Sequence, residues 1–142
     1  MKVSRRFQLA VHAILFIAVY SDRQNLTCES ISKQMNCNPV VIKNVLNLLY
    51  KNNFLVKSST TMGIKLKKDI KDISLWDIYK VTDEVDIKSI FTYDDLQVTN
   101  PFAEDLPELL SDQFEQIMSF IEDTLSKVSI ETLLIQYNYN KI

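Results

Sequence analysis

The sequence predicts a mostly α fold with one small β-hairpin and a long C-terminal helix. Three observations carry that expectation. The 142 residues include a single glycine, Gly63, a scarcity that helices tolerate and sheets with many tight turns do not. Apolar residues recur at helical gaps of three and four over most of the length. Phe54–Lys67 departs from that spacing in a strand-like way, with two short runs separated by the glycine-containing turn. Hydrophobic residues make up 46% of the chain, enough to bury a core, so global disorder is excluded. The length fits one domain, or one domain with an added dimerisation element.

The elements follow in order. Ser4 is the N-cap of a first helix running to about Tyr20. After the polar turn Ser21–Asn25, Thr27 caps a short second helix, about Cys28 to Met35, with Glu29 where the macrodipole favours an acid. Asn38 followed by Pro39 starts a third helix, which reaches about Asn52. Its inward face is Ile42, Val45, Leu46 and Leu49. The opposite side carries Val40, Lys43, Asn44 and Asn47, with Val41 beside them. Two short helices joined by a tight polar turn, the second with a polar outer face, form a helix-turn-helix pattern. The residue types suit duplex DNA. Asn pairs in bidentate fashion with adenine, Lys reaches guanine acceptors or phosphate, and an exposed Val meets a thymine methyl.

Phe54–Ser58 and Ile64–Lys67 read as strands flanking a Ser59–Gly63 turn, where the glycine meets a need for positive φ or a tight bend. A basic hairpin directly after such a helix is a wing. Lys57, Lys65, Lys67 and Lys68 are positioned for phosphate, and the small tip residues Ser59 and Thr60 can approach a groove. Net charge agrees. Residues 1–71 hold twelve Lys and Arg against three acids, a net of +9, and residues 72–142 hold four against fifteen, a net of −11. The first half is built to meet a polyanion and the second is not.

Ser74 caps a fourth helix, Leu75 to about Asp83, anchored by Trp76. A weakly patterned aromatic stretch, Val85–Asp105, follows; its aromatics suit a dimer core or an apolar ligand pocket. The last long helix is expected to begin near Glu104–Pro107 and reach about Val128. Leu106, Leu110, Phe114, Ile117, Ile121 and Leu125 form a heptad-like stripe. Leu109, Met118 and Phe120 widen it beyond what one neighbour covers, so it is expected to be a dimer interface. Ser129–Gln136 adds a short terminal helix.

Other chemistry is poorly served. Cys28 and Cys37 are nine residues apart and there is one histidine, which matches no zinc pattern and makes no disulfide framework. Reduced thiols are expected, or else a redox-sensing pair. No carboxylate pair, Cys–His spacing or glycine loop supports an enzyme, and no metal or cofactor is expected. Lys2, Arg5, Arg6 and the apolar run Leu9–Tyr20 imitate a signal peptide. The run is too short to span a bilayer, and its exit places Tyr20 where a small residue is wanted. It reads instead as a buried helix, apolar nearly all round with His12 as a core histidine, in a cytoplasmic protein without a membrane partner.

Together these residues resemble the Rrf2 family of winged helix-turn-helix regulators, from Lys2 to about Leu134. The resemblance rests on Val3–Ala10 with its apolar helix, Leu26–Leu49, the strand Phe54–Ser58 with Gly63–Leu66, and Ile73–Tyr79. It implies a transcriptional regulator that binds double-stranded DNA as a homodimer, crossing over through the long C-terminal helices. The DNA-binding unit is 1–83, with linker and dimerisation helices in 84–142. Ser4, Arg5, Thr27 and Asn38 join the third helix and the wing as candidate DNA contacts. Iron–sulfur members carry three cysteines between the fourth and the long helix, whereas Val85–Asp105 has none. Thiolates hold such clusters, so the chain is expected in the cluster-free branch. Ser59–Met62 replaces the usual glycine-rich basic tip, so this wing is expected to grip phosphate more than it reads bases. The alternative is a winged-helix interaction adaptor that has lost DNA binding, favoured by the abbreviated wing and the Asn-rich third helix. The operator, the sign of regulation and the small-molecule or redox signal are not encoded in any motif.

Overall fold

The structure, a computed structural model, describes residues 3–83 and 100–141. In chain order these form α1 (Arg5–Tyr20), α2 (Cys28–Gln34), α3 (Pro39–Lys51), β1 (Leu55–Lys57), β2 (Ile64–Leu66), a 3-10 turn (Ile70–Asp72), α4 (Leu75–Thr82), α5 (Pro101–Ser126) and α6 (Ile130–Asn140). The mostly α class with a hairpin wing is what the sequence predicts.

Helix α1 starts where the Ser4 hydroxyl accepts the Phe7 N–H. Its buried positions Leu9, Ala10, Ala13, Ile14 and Ile17 fall on one stripe at gaps of one, three and four. Within the chain the helix is therefore one-sided rather than buried all round. His12 lies off that stripe and is exposed, contrary to the expectation of a core histidine. The stripe packs on α3 and α4, in a core where Ile31 of α2, Ile42 and Leu49 of α3, Ile78 of α4 and Ile73, just before the α4 N-cap, are fully buried. Each such side chain contributes about 1.5–3 kcal/mol on leaving water.

Both helices of the helix-turn-helix end in the same way. At α2 the N–H of Cys37 reaches the Ser32 carbonyl at 3.0 Å and that of Asn36 reaches Lys33 at 3.2 Å. At α3 Phe54 reaches Leu49 at 2.9 Å and Asn53 reaches Tyr50 at 3.1 Å. These are Schellman pairs, and the residues that turn left-handed, Asn36 (φ 50°) and Asn53 (φ 63°), are of the type that tolerates that region without glycine.

The wing strands pair antiparallel, with Leu55 opposite Leu66, Val56 opposite Lys65 and Lys57 opposite Ile64. The Ile64 N–H also bonds the Leu26 carbonyl at 2.9 Å, tying the wing to the entry of α2. Gly63 does not supply the positive φ; Met62 does, at 57°. The glycine at 63 instead permits a close approach, because a Cβ there would collide with the Asn25 side-chain oxygen and displace that side chain.

Helix α5 begins at Asn100, whose side chain accepts the Ala103 N–H, with Pro101 at the first position. It therefore starts earlier than Glu104–Pro107, and Pro107 lies inside it. Its 26 residues span about 39 Å. Of the expected irregular stretch, residues 84–99 lie outside the described residues and 101–105 are helical. Helix α6 then returns to the N-terminal half. The Ile130 N–H bonds the Ile73 carbonyl at 2.9 Å, the Leu75 N–H bonds the Val128 carbonyl at 2.8 Å, and Ile130 is fully buried in the main core.

Candidate nucleic-acid interface

The presenting surface is assembled from helix ends. The Schellman turn closing α2 delivers Asn38, whose side chain accepts the Val40 N–H at 2.9 Å and starts α3. That start points the buried set Ile42, Val45, Leu46 and Leu49 at the core. The same register leaves Lys43, Asn44 and Asn47 exposed and Val40 65% exposed, with Val41 half-buried. Thr27, exposed at the N-cap of α2, exchanges hydrogen bonds with Ser30. Arg5 is exposed in the first turn of α1. Ser4 is half-buried and its hydroxyl is engaged twice, accepting the Phe7 N–H and donating to Asp83 Oδ2 at 3.0 Å.

On the wing, Ser59 and Thr60 are exposed at the tip, with Thr60 held to the Ser58 hydroxyl at 3.1 Å. Three of the four wing lysines have partners within the chain. Lys65 pairs with Asp22 at 3.2 Å, Lys67 donates to Asn53 Oδ1 at 3.1 Å, and Lys68 lies 5.1 Å from the centre of the Phe54 ring. Lys57, exposed, has no such partner among the described residues. Sequence reasoning missed the Asp22 pairing because the two groups are 43 residues apart.

A cleft of about 510 Å3 opens between the start of α2, α3 and the wing. Lys43, Asn47, Lys57 and Thr27 line it beside Leu26, Leu46, Met62 and Ile64. Tyr50 also lines it, and its buried hydroxyl has no protein partner among the described residues. Burial first, and then electrostatic coupling to the nearby Cys28 side chain, pushes the Tyr50 phenol up from its ordinary value. Both cysteines are half-buried free thiols. Cys28 Sγ faces the Pro39 carbonyl at 3.9 Å, and Cys37 Sγ the Met35 carbonyl at 3.4 Å.

The long helix presents a different surface. Leu106 (41%), Leu109 (57%), Ile117 (48%) and Phe120 (73%) are exposed, and Leu110, Phe114, Ile121 and Leu125 are half-buried. Met118, expected on the partner face, is instead 4% exposed within the chain, on a helix that packs against α4. No helix among the described residues is long and apolar enough to cross a membrane.

Known proteins share this arrangement. The sequence profile of the Rrf2 family, described as an iron-dependent transcriptional regulator, matches residues 3–136. YwnA of Bacillus subtilis (strain 168), assigned as an HTH-type transcriptional regulator, is 24% identical over 132 residues, 93% of this chain and 96% of its own. Among solved structures, IscR of T. potens superposes with a TM-score of 0.73 at 16% identity, covering 100% of this chain and 92% of that one. A Lactobacillus plantarum protein assigned as a transcriptional regulator gives 0.72 at 24% identity, covering 94% and 89%. Staphylococcus aureus CymR gives 0.62 at 13%, covering 92% and 95%. The fold is that of winged-helix regulators, and the chain belongs to the Rrf2 family of transcriptional regulators.

Proposed function

We propose that this regulator binds a specific duplex operator as a homodimer in the cytoplasm and does so without an iron–sulfur cluster. The observation that carries the DNA reading is the exposed face of α3, with Val40, Lys43, Asn44 and Asn47 set beside Lys57 of the wing. Hydrogen-bonding amides, a methyl-bearing side chain and ammonium groups are the means by which a helix reads base edges while a hairpin holds phosphate. The homodimer is supported by the apolar α5 surface, where Leu109 and Phe120 are more than half exposed. Such a surface is covered by a second apolar face in a stable protein.

The family description invokes iron, but the donors in this chain do not fit a cluster. Cluster iron needs thiolates or, in part, imidazoles. The whole chain has two cysteines and one histidine. The cysteines belong to α2 and the turn after it, and His12 lies on α1.

Fluorescence anisotropy against duplex DNA selected from genomic fragments tests the DNA reading. Specific binding that weakens steeply with salt is expected; absent or salt-insensitive binding overturns it. Sedimentation equilibrium tests the dimer, which Phe120→Glu should dissociate; a monomeric wild-type chain refutes it.

A further inference from the structure

The cleft between α3 and the wing has a lining that phosphate contact does not explain. We propose that it is a binding site for a small apolar organic anion, and that its occupancy excludes DNA. The exclusion rests on the DNA-binding reading; the binding itself does not.

Size comes first. About 510 Å3 is within the usual range of small-molecule clefts, and it lies between rigid elements. The floor is apolar, made by Leu26, Leu46 and Ile64, which are core residues showing one edge. Val40 (65% exposed) and Met62 (69% exposed) extend that surface outward. A sugar-phosphate backbone gains nothing from such a floor, whereas a hydrocarbon body does.

Charge sets the class of ligand. Lys43 and Lys57 line the cleft with one acid, Glu29. Two ammonium groups against one carboxylate leave a single positive charge, matched by a monoanion. Tyr50 and Cys28, the other titratable groups of the lining, add no positive charge.

Met62 holds its place with a φ of 57°, a left-handed conformation that disfavours a non-glycine residue. Strain of this kind collects at ligand clamps. Lys43, Asn47 and Lys57 are also the candidate DNA contacts, so an occupant and a duplex compete for the same groups.

The test uses octanoate as the probe, with 1-octanol as the neutral control, on the full DNA-free chain. Gly63 is the chain's one glycine and sits between Met62 and Ile64, so its amide resonance reports on the cleft directly. Octanoate is expected to shift that resonance saturably, and 1-octanol to bind at least about tenfold more weakly, the effect of losing a charged hydrogen-bond partner. Asn47→Phe, an exposed position on α3 that fills the cleft, should abolish the shift. The double variant Lys43→Ala/Lys57→Ala should weaken octanoate about tenfold and leave 1-octanol unchanged. An unmoved Gly63 amide, equal binding of 1-octanol, or undiminished binding by Asn47→Phe overturns the site. Octanoate should also release bound duplex. A chain that binds octanoate and DNA together overturns the exclusion, and one that binds octanoate but never DNA overturns the DNA reading alone.

Discussion

Removing the Lys57 ammonium should weaken DNA binding in a way that salt exposes. Lys57 is the exposed last residue of β1, lines the cleft beside α3, and is the wing lysine without an intrachain partner among the described residues. Each phosphate neutralised releases counterion and adds about 0.9 to the steepness of log K against log salt. A homodimer carries two copies, so Lys57→Ala should flatten the slope by about 1.8. At 0.1 M salt the same arithmetic gives roughly a tenfold loss per contact, or somewhat under about a hundredfold for the pair. The assay is fluorescence anisotropy with the selected duplex over a series of KCl concentrations. Lys127→Ala is the control, since Lys127 sits at the end of α5 and pairs with Asp123 at 2.8 Å. The residue is exposed, so folding stability should change by no more than about 0.5 kcal/mol. An unchanged slope, or the same change in the control, would refute the placement of the wing on phosphate.

Four further outcomes follow from the structure. Asp22→Asn should free Lys65 and raise DNA affinity by up to about tenfold, with a stability change under about 1 kcal/mol because the pair is exposed; unchanged affinity places Lys65 out of reach of the duplex. Gly63→Ala should lower stability in urea by about 1 kcal/mol through its collision with Asn25, and the loss should vanish in an Asn25→Ala background. Ile130→Ala, at a fully buried site, should cost about 2–5 kcal/mol in the same assay, whereas a loose C-terminal helix would lose almost nothing. Finally, burial alone would raise the Asp77 carboxyl, but hydrogen bonds from the Ser74 N–H and hydroxyl and from Lys80 outweigh it and hold it below the usual carboxylate range. A depressed carboxylate adds stability above its unfolded value near pH 4 that is lost as pH falls through its folded value. Acid titration of unfolding should show that loss in the wild type and less of it in Asp77→Asn.

What the sequence revealed depended on whether a signal was local. Ser4, Thr27, Asn38 and Ser74 all cap the helices they were expected to cap, because an N-cap acts over three residues. Asn100-Pro101 carries the same signal as Asn38-Pro39. Pro107, six residues on, is an equally good helix start by residue type alone. The chain tolerates a proline inside α5 where a shorter helix would have ended. His12 and Met118 failed for another reason. Periodicity shows that a helix has an apolar face, but which residues lie at its margin depends on the neighbour it meets. Asp22 with Lys65, and Asn25 with Gly63, are contacts between segments far apart in sequence, and no window of residues contains them.

The cleft was hidden by the same non-locality. Its lining comes from the N-terminus of α2, one face of α3 and both wing strands. Lys43, Asn47 and Lys57 stand out in the sequence as polar members of separate segments, whereas Leu26, Leu46 and Ile64 join one core only in the fold. Those three face the interior with most of their surface and the cleft with the remainder. The core that fixes the angle between α3 and the wing is therefore also the floor of the space between them. Whatever fills that space presses on the elements that carry Lys43 and Lys57, and needs no separate sensing domain to reach them.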